Sequence, residues 1–212
     1  MLRFERLRKA FRSRPVIHDC SGRFGPGIFA LQGPNGIGKS TLLAALAGAL
    51  PLDAGEVWID GVSLGDDPVA ARRRLSYSPD ESPIYPFLRG RDFLEFVAKA
   101  KDAPLDAVVE QPISGFGLEP HMGTRFGDMS LGTQKKFLLV AAWIGDPRVL
   151  LLDEPANGLD TAAREFLADL MRRDMARTTV LFSSHDHDFI ADAGANPVQV
   201  EALFSGRFNA SA

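Results

Sequence analysis

The chain has 212 residues, 45% of them hydrophobic and 24% charged, with a net charge of −3. That balance belongs to an ordinary globular protein with enough chain for one well-buried domain, and it lacks the basic excess that would argue for nucleic acid. The single cysteine, Cys20, excludes an intramolecular disulfide; it fits a reducing cytoplasmic setting and reads as a small core residue.

The first fourteen residues, MLRFERLRKAFRSR, are rich in Arg but have no apolar core of a secretory signal. Leu2, Phe4, Leu7 and Phe11 among charges suit the solvated strand of an edge sheet. Ile28–Leu31 is a buried-strand candidate, followed by the loop Gly33 to Gly38 and a helical run, Ser40 to Leu50. EVWID, Glu56 to Asp60, reads as a strand entering a turn at Asp60-Gly61. Arg72 to Pro86 holds three prolines and neither period, so it is expected to be a loop with a short strand at its start. Phe87 to about Ile144 is mostly helical in pattern. Val149–Leu152 and Thr179–Phe182 read as fully buried strands flanking an amphipathic helix, Thr161 to Arg177, with Phe166, Leu167, Leu170 and Met171 on one face. The tail Gln199 to Phe208 is a candidate for a last short hairpin. Strands alternating with helices imply an α/β fold with a parallel sheet covered on both faces, interrupted by a helical insertion. The longest apolar runs, Leu42–Leu50 and Phe137–Ile144, fall well short of the roughly 20 residues that span a bilayer.

GPNGIGKST, Gly33 to Thr41, matches the phosphate-loop pattern G-x-x-x-x-G-K-[ST] in its required strand-loop-helix setting. Glycines let successive N–H groups turn inward as an anion nest, and the following helix adds its positive dipole end. Lys39 is then expected on the β and γ phosphates and Ser40 on Mg²⁺. VLLLDE, Val149 to Glu154, supplies a buried strand ending in two carboxylates. Asp153 can enter the Mg²⁺ shell while Glu154 polarises an attacking water.

With these motifs and DMSLGTQKKF (Asp128 to Phe137) between them, the chain resembles the nucleotide-binding subunit of an ABC transporter over nearly its whole length. Met129 to Thr133 resembles that family's LSGGQ signature, with Ser130 and Gly132 kept and Leu131 and Thr133 in place of Gly and Gln. Pro155 to Asp160 resembles the D-loop, Ser184-His185 the switch histidine, and Phe11 the aromatic that stacks on adenine, with a core aromatic as the alternative for Phe11. The resemblance implies a P-loop NTPase (RecA-like) core with an N-terminal antiparallel β part and an inserted α-helical subdomain. It divides one domain, 1–212, into a core of 1–86 and 145–212 and a signature-carrying segment of 87–144.

The same resemblance implies nucleotide-binding roles for Phe11, Gly33, Asn35, Gly36, Gly38, Lys39, Ser40, Thr41, Ser130, Gly132 and Asp160. Lys39, Glu154 and His185 are the catalytic candidates; Ser40, Asp80 and Asp153 are the Mg²⁺ candidates. Asp80 stands where the family carries a Gln, with Glu81 or a solvated loop acid as alternatives. The run His185 to Asp188 admits a local metal site as a weaker option. Lys135 and Lys136 need no more than a solvated helix face. Ser130 has its own physical warrant as a helix N-cap beside exposed amides.

Two subunits, identical or different, would close head to tail around two Mg·ATP. They would drive a separate integral membrane permease from the cytoplasmic face, docked near Pro83 to Phe93 through Ile84, Tyr85 and Phe87. The Asn-containing D-loop, the run Tyr77-Ser-Pro and the short C-terminus resemble bacterial exporter subunits, including the small haem-export type. A soluble, non-transport ABC machine is the alternative, and a P-loop small-molecule kinase would leave the signature, D-loop and switch histidine without a task.

Overall fold

Val149–Asp153 and Thr179–Ser183 are buried at every position, so each must lie inside a sheet that is covered on both faces. The computed structural model, which describes residues 1–12, 14–81, 84–105, 107–204 and 208–210, contains that sheet. In chain order the strands are β1 (Leu2–Phe11), β2 (Arg14–Phe24), β3 (Gly27–Gln32), β4 (Ala54–Ile59), β5 (Val62–Ser63), β6 (Leu75–Ser78), β7 (Val149–Asp153), β8 (Thr179–Ser183), β9 (Asn196–Gln199) and β10 (Phe208–Ala210). The helices are α1 (Lys39–Leu46), α2 (Pro68–Arg73), α3 (Gly90–Ala100), α4 (Ala107–Gly115), α5 (Leu131–Trp143), α6 (Thr161–Asp174), α7 (His187–Asp192) and α8 (Val200–Phe204).

One sheet is wholly parallel, in the order β6-β7-β8-β3-β9; the other, β10-β2-β1-β4-β5, is antiparallel apart from the parallel pair β10 and β2. Alternate side chains of the parallel strands enter opposite cores, as a two-residue period requires. Ile28, Ala30, Leu150, Leu152, Val180 and Phe182 pack toward the helical side with Phe137, Leu139 and Leu167. Phe29, Leu31, Val149, Leu151 and Leu181 pack toward α1 and the antiparallel sheet with Leu2, Phe4, Leu7, Leu42 and Leu43. Cys20 lies in this second core, where burial pushes its thiol pKa up to about 12.

Several expectations change. The N-terminal strand is no solvated edge: β1 runs between β2 and β4, with Leu2, Phe4 and Leu7 wholly buried. The helix expected over Ser40 to Leu50 ends at Leu46, because Gly48 takes φ 68° and the amides of Ala49 and Leu50 return to the Ala44 carbonyl. The stretch before the expected loop holds α2, capped by Asp67, which accepts from the Ala70 N–H at 3.0 Å and has Pro68 behind it; the short strand follows as β6. The helix expected to Arg177 ends at Asp174, whose Oδ2 accepts from Trp143 Nε1 at 2.8 Å. The tail forms no hairpin among its described residues. It adds β9 parallel to β3, then α8, then β10 parallel to β2, and residues 205–207 of that expectation lie outside the described residues.

Between β6 and β7 the described chain is helical, as expected: α3, α4, two short 3₁₀ turns and α5. Among the described residues no helix is long and apolar enough to cross a membrane.

Candidate active site

The carboxyl ends of three neighbouring parallel strands converge on one place. β7, β8 and β3 are adjacent, and Asp153 pairs in register with Ser183. In an open parallel sheet this is the edge where loops leave a crevice for a ligand. The loop after β3 turns into α1 with Gly38 at the N-cap, so the first amides of α1 are free to face an anion.

Lys39 is 7% exposed and folds back over its own loop. Its Nζ donates to the Gly33 carbonyl at 2.8 Å and the Pro34 carbonyl at 3.3 Å, and lies 3.1 Å from His185 Nε2. Ser40 Oγ donates to Asp153 Oδ1 at 3.0 Å, and Ser183 Oγ donates to the same oxygen at 2.6 Å. The N–H of Glu154 donates to Ser183 Oγ at 2.9 Å, and Glu154 Oε1 lies 3.5 Å from His185 Nε2. Residues 113 and 146 positions apart in the chain are thus within hydrogen-bond reach.

Glu154 has φ 42°, a left-handed backbone that a non-glycine residue holds only under constraint. Burial raises the pKa of its carboxyl above the usual range, opposed by the nearby His185 and Lys39. Burial makes this carboxylate a candidate general base, while the neighbouring positive groups work against proton uptake.

An open cavity of about 1480 Å³ lies over these groups. Asn35, Gly36, Gly38, Lys39, Ser40 and Thr41 line it, together with Glu154 and His185. Gly33 contributes its carbonyl to Lys39 instead of lining the space. Phe11 also lines it; it is 48% exposed, so it is a wall of the cavity and not a core aromatic. Sequence reasoning missed its companions. His18 stacks on Phe204 with ring centroids 4.9 Å apart, and Glu201 joins them in the lining. The β1–β2 register pairs Phe11 with Arg14 and not with His18, and nothing local announces Glu201 and Phe204, because α8 has no sequence signal of its own.

The remaining candidates sit elsewhere. Ser130 caps α5, its Oγ accepting from the Thr133 N–H at 3.2 Å and lying 2.9 Å from Thr133 Oγ1. Ser130 and Leu131 are exposed, Leu131 by 83%, and neither Ser130 nor Gly132 lines the cavity of its own chain. A Cβ on Gly132 would come within 2.8 Å of the Gly158 carbonyl, so the start of α5 abuts the loop after β7 with no room for a side chain. Asp160 caps α6 through the Ala163 N–H at 2.9 Å and pairs with Lys136 at 2.7 Å. The Lys136 hydrogen bond, followed by that amide, holds its carboxyl below the usual range.

Three expectations are corrected here. Lys136 is engaged with Asp160. Lys135 is no solvated side chain: it is 6% exposed and ion-paired with Asp80 Oδ1 at 3.1 Å. Asp80, the Mg²⁺ candidate of the loop after β6, is the partner in this ion pair and keeps a side chain that is 42% exposed. Glu81, the alternative, is exposed. The local metal option at His185 to Asp188 also loses a ligand, since Asp186 caps α7 through the Phe189 N–H at 3.0 Å and pairs with Arg164.

The family model described as ABC transporter matches residues 18–157; a second model, an AAA domain, matches 123–192. The chain is 32% identical over 202 residues to the ATP-binding cassette sub-family A member 7 of Rattus norvegicus, covering 93% of this chain and 9% of that protein. It is 31% identical over 191 residues to the uncharacterized ABC transporter ATP-binding protein YhcH of Bacillus subtilis (strain 168), covering 87% of this chain and 62% of that protein. A solved structure of an ATP binding subunit of an ABC transporter superposes with a TM-score of 0.81 at 27% identity, over 90% of this chain and 81% of that one. The chain spans 9% and 62% of the lengths of these two relatives.

Proposed function

Because the chain belongs to the ABC transporter family, as one of its ATP-binding ATPase domains, we propose that it hydrolyses Mg·ATP at the ends of β7, β8 and β3 and works as half of a head-to-tail pair. The observation that carries this is the contact of Ser40 with Asp153 at 3.0 Å beneath a cavity faced by Lys39, Glu154 and His185. The residues fit the cation: a hydroxyl and a carboxylate are the hard oxygen donors Mg²⁺ prefers, and Ser40 and Asp153 would hold it. When bound, Mg²⁺ supplies charge neutralisation on the β and γ phosphate oxygens.

The chain's own groups do the rest. Loop amides from Gly33 to Gly38 and the amide end of α1 hold the phosphates, with Asn35 and Thr41 beside them. Lys39 exchanges its two carbonyl acceptors for phosphate oxygens, which are stronger partners for an ammonium. Glu154 orients water and accepts its proton as the water oxygen bonds to the γ phosphorus and the bond to the β-phosphate oxygen breaks. His185, between Lys39 and Glu154, keeps both aimed at that phosphorus. Phe11 stacks on the base.

Ser130 is exposed and, like Gly132, lies outside the cavity of its own chain, and the capped amide end of α5 is suited to a phosphate oxygen. Both facts support their use by a second copy or a related subunit, with Asp160 beside them. The segment 87–144 is accordingly the subdomain that presents the signature, and 1–86 with 145–212 the core that binds nucleotide. Closure on ATP and opening after hydrolysis would drive a membrane permease from the cytoplasmic face, in the export direction suggested by the exporter-like D-loop.

The purified chain should release phosphate from Mg·ATP with no acceptor present. Phosphate transfer that appears only when a small-molecule acceptor is added would show a kinase instead.

The permease contact is proposed at Tyr85 and Phe87, which are 67% and 66% exposed and stack at 5.5 Å. Ile84, expected with them, is half-buried against the core, and Pro83 lies outside the described residues. An exposed aromatic pair of this kind marks a contact surface. Changing both residues to Ser should abolish recovery with the membrane partner and leave ATP hydrolysis by the isolated chain unchanged. Intact recovery would move the contact elsewhere.

A further inference from the structure

The functional assignment leaves one buried cation without a task. Lys135 is 6% exposed, and its Nζ points into a set of four oxygens: Asp80 O at 2.9 Å, Asp80 Oδ1 at 3.1 Å, Pro79 O at 3.4 Å and Asp153 O at 3.4 Å. An ammonium has three protons to share among them, so every donor is used. Burial pulls the pKa of this amine down, and Asp80 opposes that shift by hydrogen bond and by charge.

The Asp153 carbonyl belongs to the peptide that links Asp153 to Glu154. The other end of that peptide, the Glu154 N–H, is held by Ser183 Oγ at 2.9 Å. Beyond it the backbone takes the left-handed turn at Glu154, φ 42°. A non-glycine residue persists in that region only where its surroundings over-determine it. Here the peptide is gripped at both ends, by a hydroxyl from β8 and by an ammonium from α5.

The geometry points to Lys135 as a positioning residue that, with Ser183, fixes the Asp153–Glu154 peptide so that the Glu154 carboxylate faces the phosphate cavity. This role rests on the ATPase function proposed above. It also joins two parts that the sequence keeps 18 residues apart: the helix capped by Ser130 carries, in its second turn, the cation that holds the turn at Glu154. Asp80 is then the counter-ion that seats Lys135, and the loop at Pro79 and Asp80 is carried on the same clamp.

A cycle of K135M and E154Q tests this. Lys135 does not line the cavity, so K135M should leave the KM for ATP within about twofold of wild type while kcat falls about thirtyfold, the cost of a misplaced group. If the lysine acts through Glu154, that loss disappears in the E154Q background, where single-turnover hydrolysis by E154Q and E154Q/K135M should agree within about twofold. Equal losses in both backgrounds, or wild-type kcat in K135M, would overturn the inference while leaving the role of Glu154 standing. Wild-type turnover by E154Q would remove that role first and this inference with it. Should the thermal unfolding of K135M show that it does not fold, D80N takes its place, since it unseats the ammonium without removing it. It should lose about threefold in kcat, again only when Glu154 is present; no loss, or one that persists with E154Q, would overturn the proposal.

Discussion

Replacing Glu154 with Gln should leave ATP binding intact and lower turnover by about 10³-fold, within the range lost when a positioned acid–base group is removed. Gln fills the same space and can still hydrogen-bond a water, but it cannot take the proton that the water must lose. Nothing that holds the phosphates changes, because those contacts come from the loop of Gly33 to Gly38, the start of α1 and Lys39. With hydrolysis stalled, the ATP-bound pair should accumulate and elute as a dimer on gel filtration. Turnover at the wild-type rate would show that Glu154 is not the water-orienting residue. The conformation at Glu154, φ 42°, makes the choice of substitution matter: Gly would relax the backbone and confound the two effects, whereas Gln preserves the constraint.

Ser130→Arg should separate binding from assembly. Ser130 is exposed and outside the cavity of its own chain, so one subunit should bind ATP as before. A bulky cation at the capped end of α5 would block the approach of a second subunit's nucleotide, and dimer-dependent hydrolysis should fall to background. Part of any change will be local, since Ser130 Oγ accepts from the Thr133 N–H and loss of such a cap costs about 1 kcal/mol. Ser130→Ala carries that cost without the bulk and separates the two: it should lose the same stability but less activity than Ser130→Arg. Loss of ATP binding by isolated Ser130→Arg would contradict the head-to-tail arrangement.

Leu131 has a place in the same test. It stands where the family signature has Gly and is 83% exposed at the first turn of α5, so in the proposed head-to-tail pair a partner's nucleotide would pass close to its side chain. Gly132 has no such freedom, because the Gly158 carbonyl occupies the space a Cβ would need. One substitution in the signature is therefore tolerated by this chain's own packing, and the other would not be.

The phosphate loop and the buried strands were legible because their determinants are local. A glycine pattern between a strand and a helix, or a run such as Val149–Leu152, carries its conformation in neighbouring residues, and the structure places both as expected. Helix ends were less so: α1 stops at Leu46 although apolar residues continue to Leu50, since chain reversal at Gly48 overrides propensity. The helix α2 was missed because six residues carry too little periodicity, although its cap Asp67 and Pro68 were in view.

The residues misread were those whose meaning lies at a distance. Lys135 and Lys136 follow the signature as two adjacent charges on a helix, and local pattern has no means of telling them apart. Helical geometry turns Lys136 toward Asp160 and Lys135 inward to Asp80 and the end of β7, 55 and 18 residues away. Asp80 entered as a metal candidate through the family resemblance, and only the tertiary fold showed its ion pair with Lys135. His18, Glu201 and Phe204 reached the cavity only because β2 and α8 fold beside the phosphate loop.

By itself, then, the sequence determined the class of chemistry: a loop for phosphate, a strand that delivers Asp153 and Glu154, and a capped helix with an exposed amide end, each written in a short stretch whose backbone preferences act over a few residues. Only the tertiary structure decided which charged groups meet. Electrostatic and hydrogen-bond partners are chosen by distance in space, and burial removes the water that would otherwise screen a wrong pairing or satisfy a missing one.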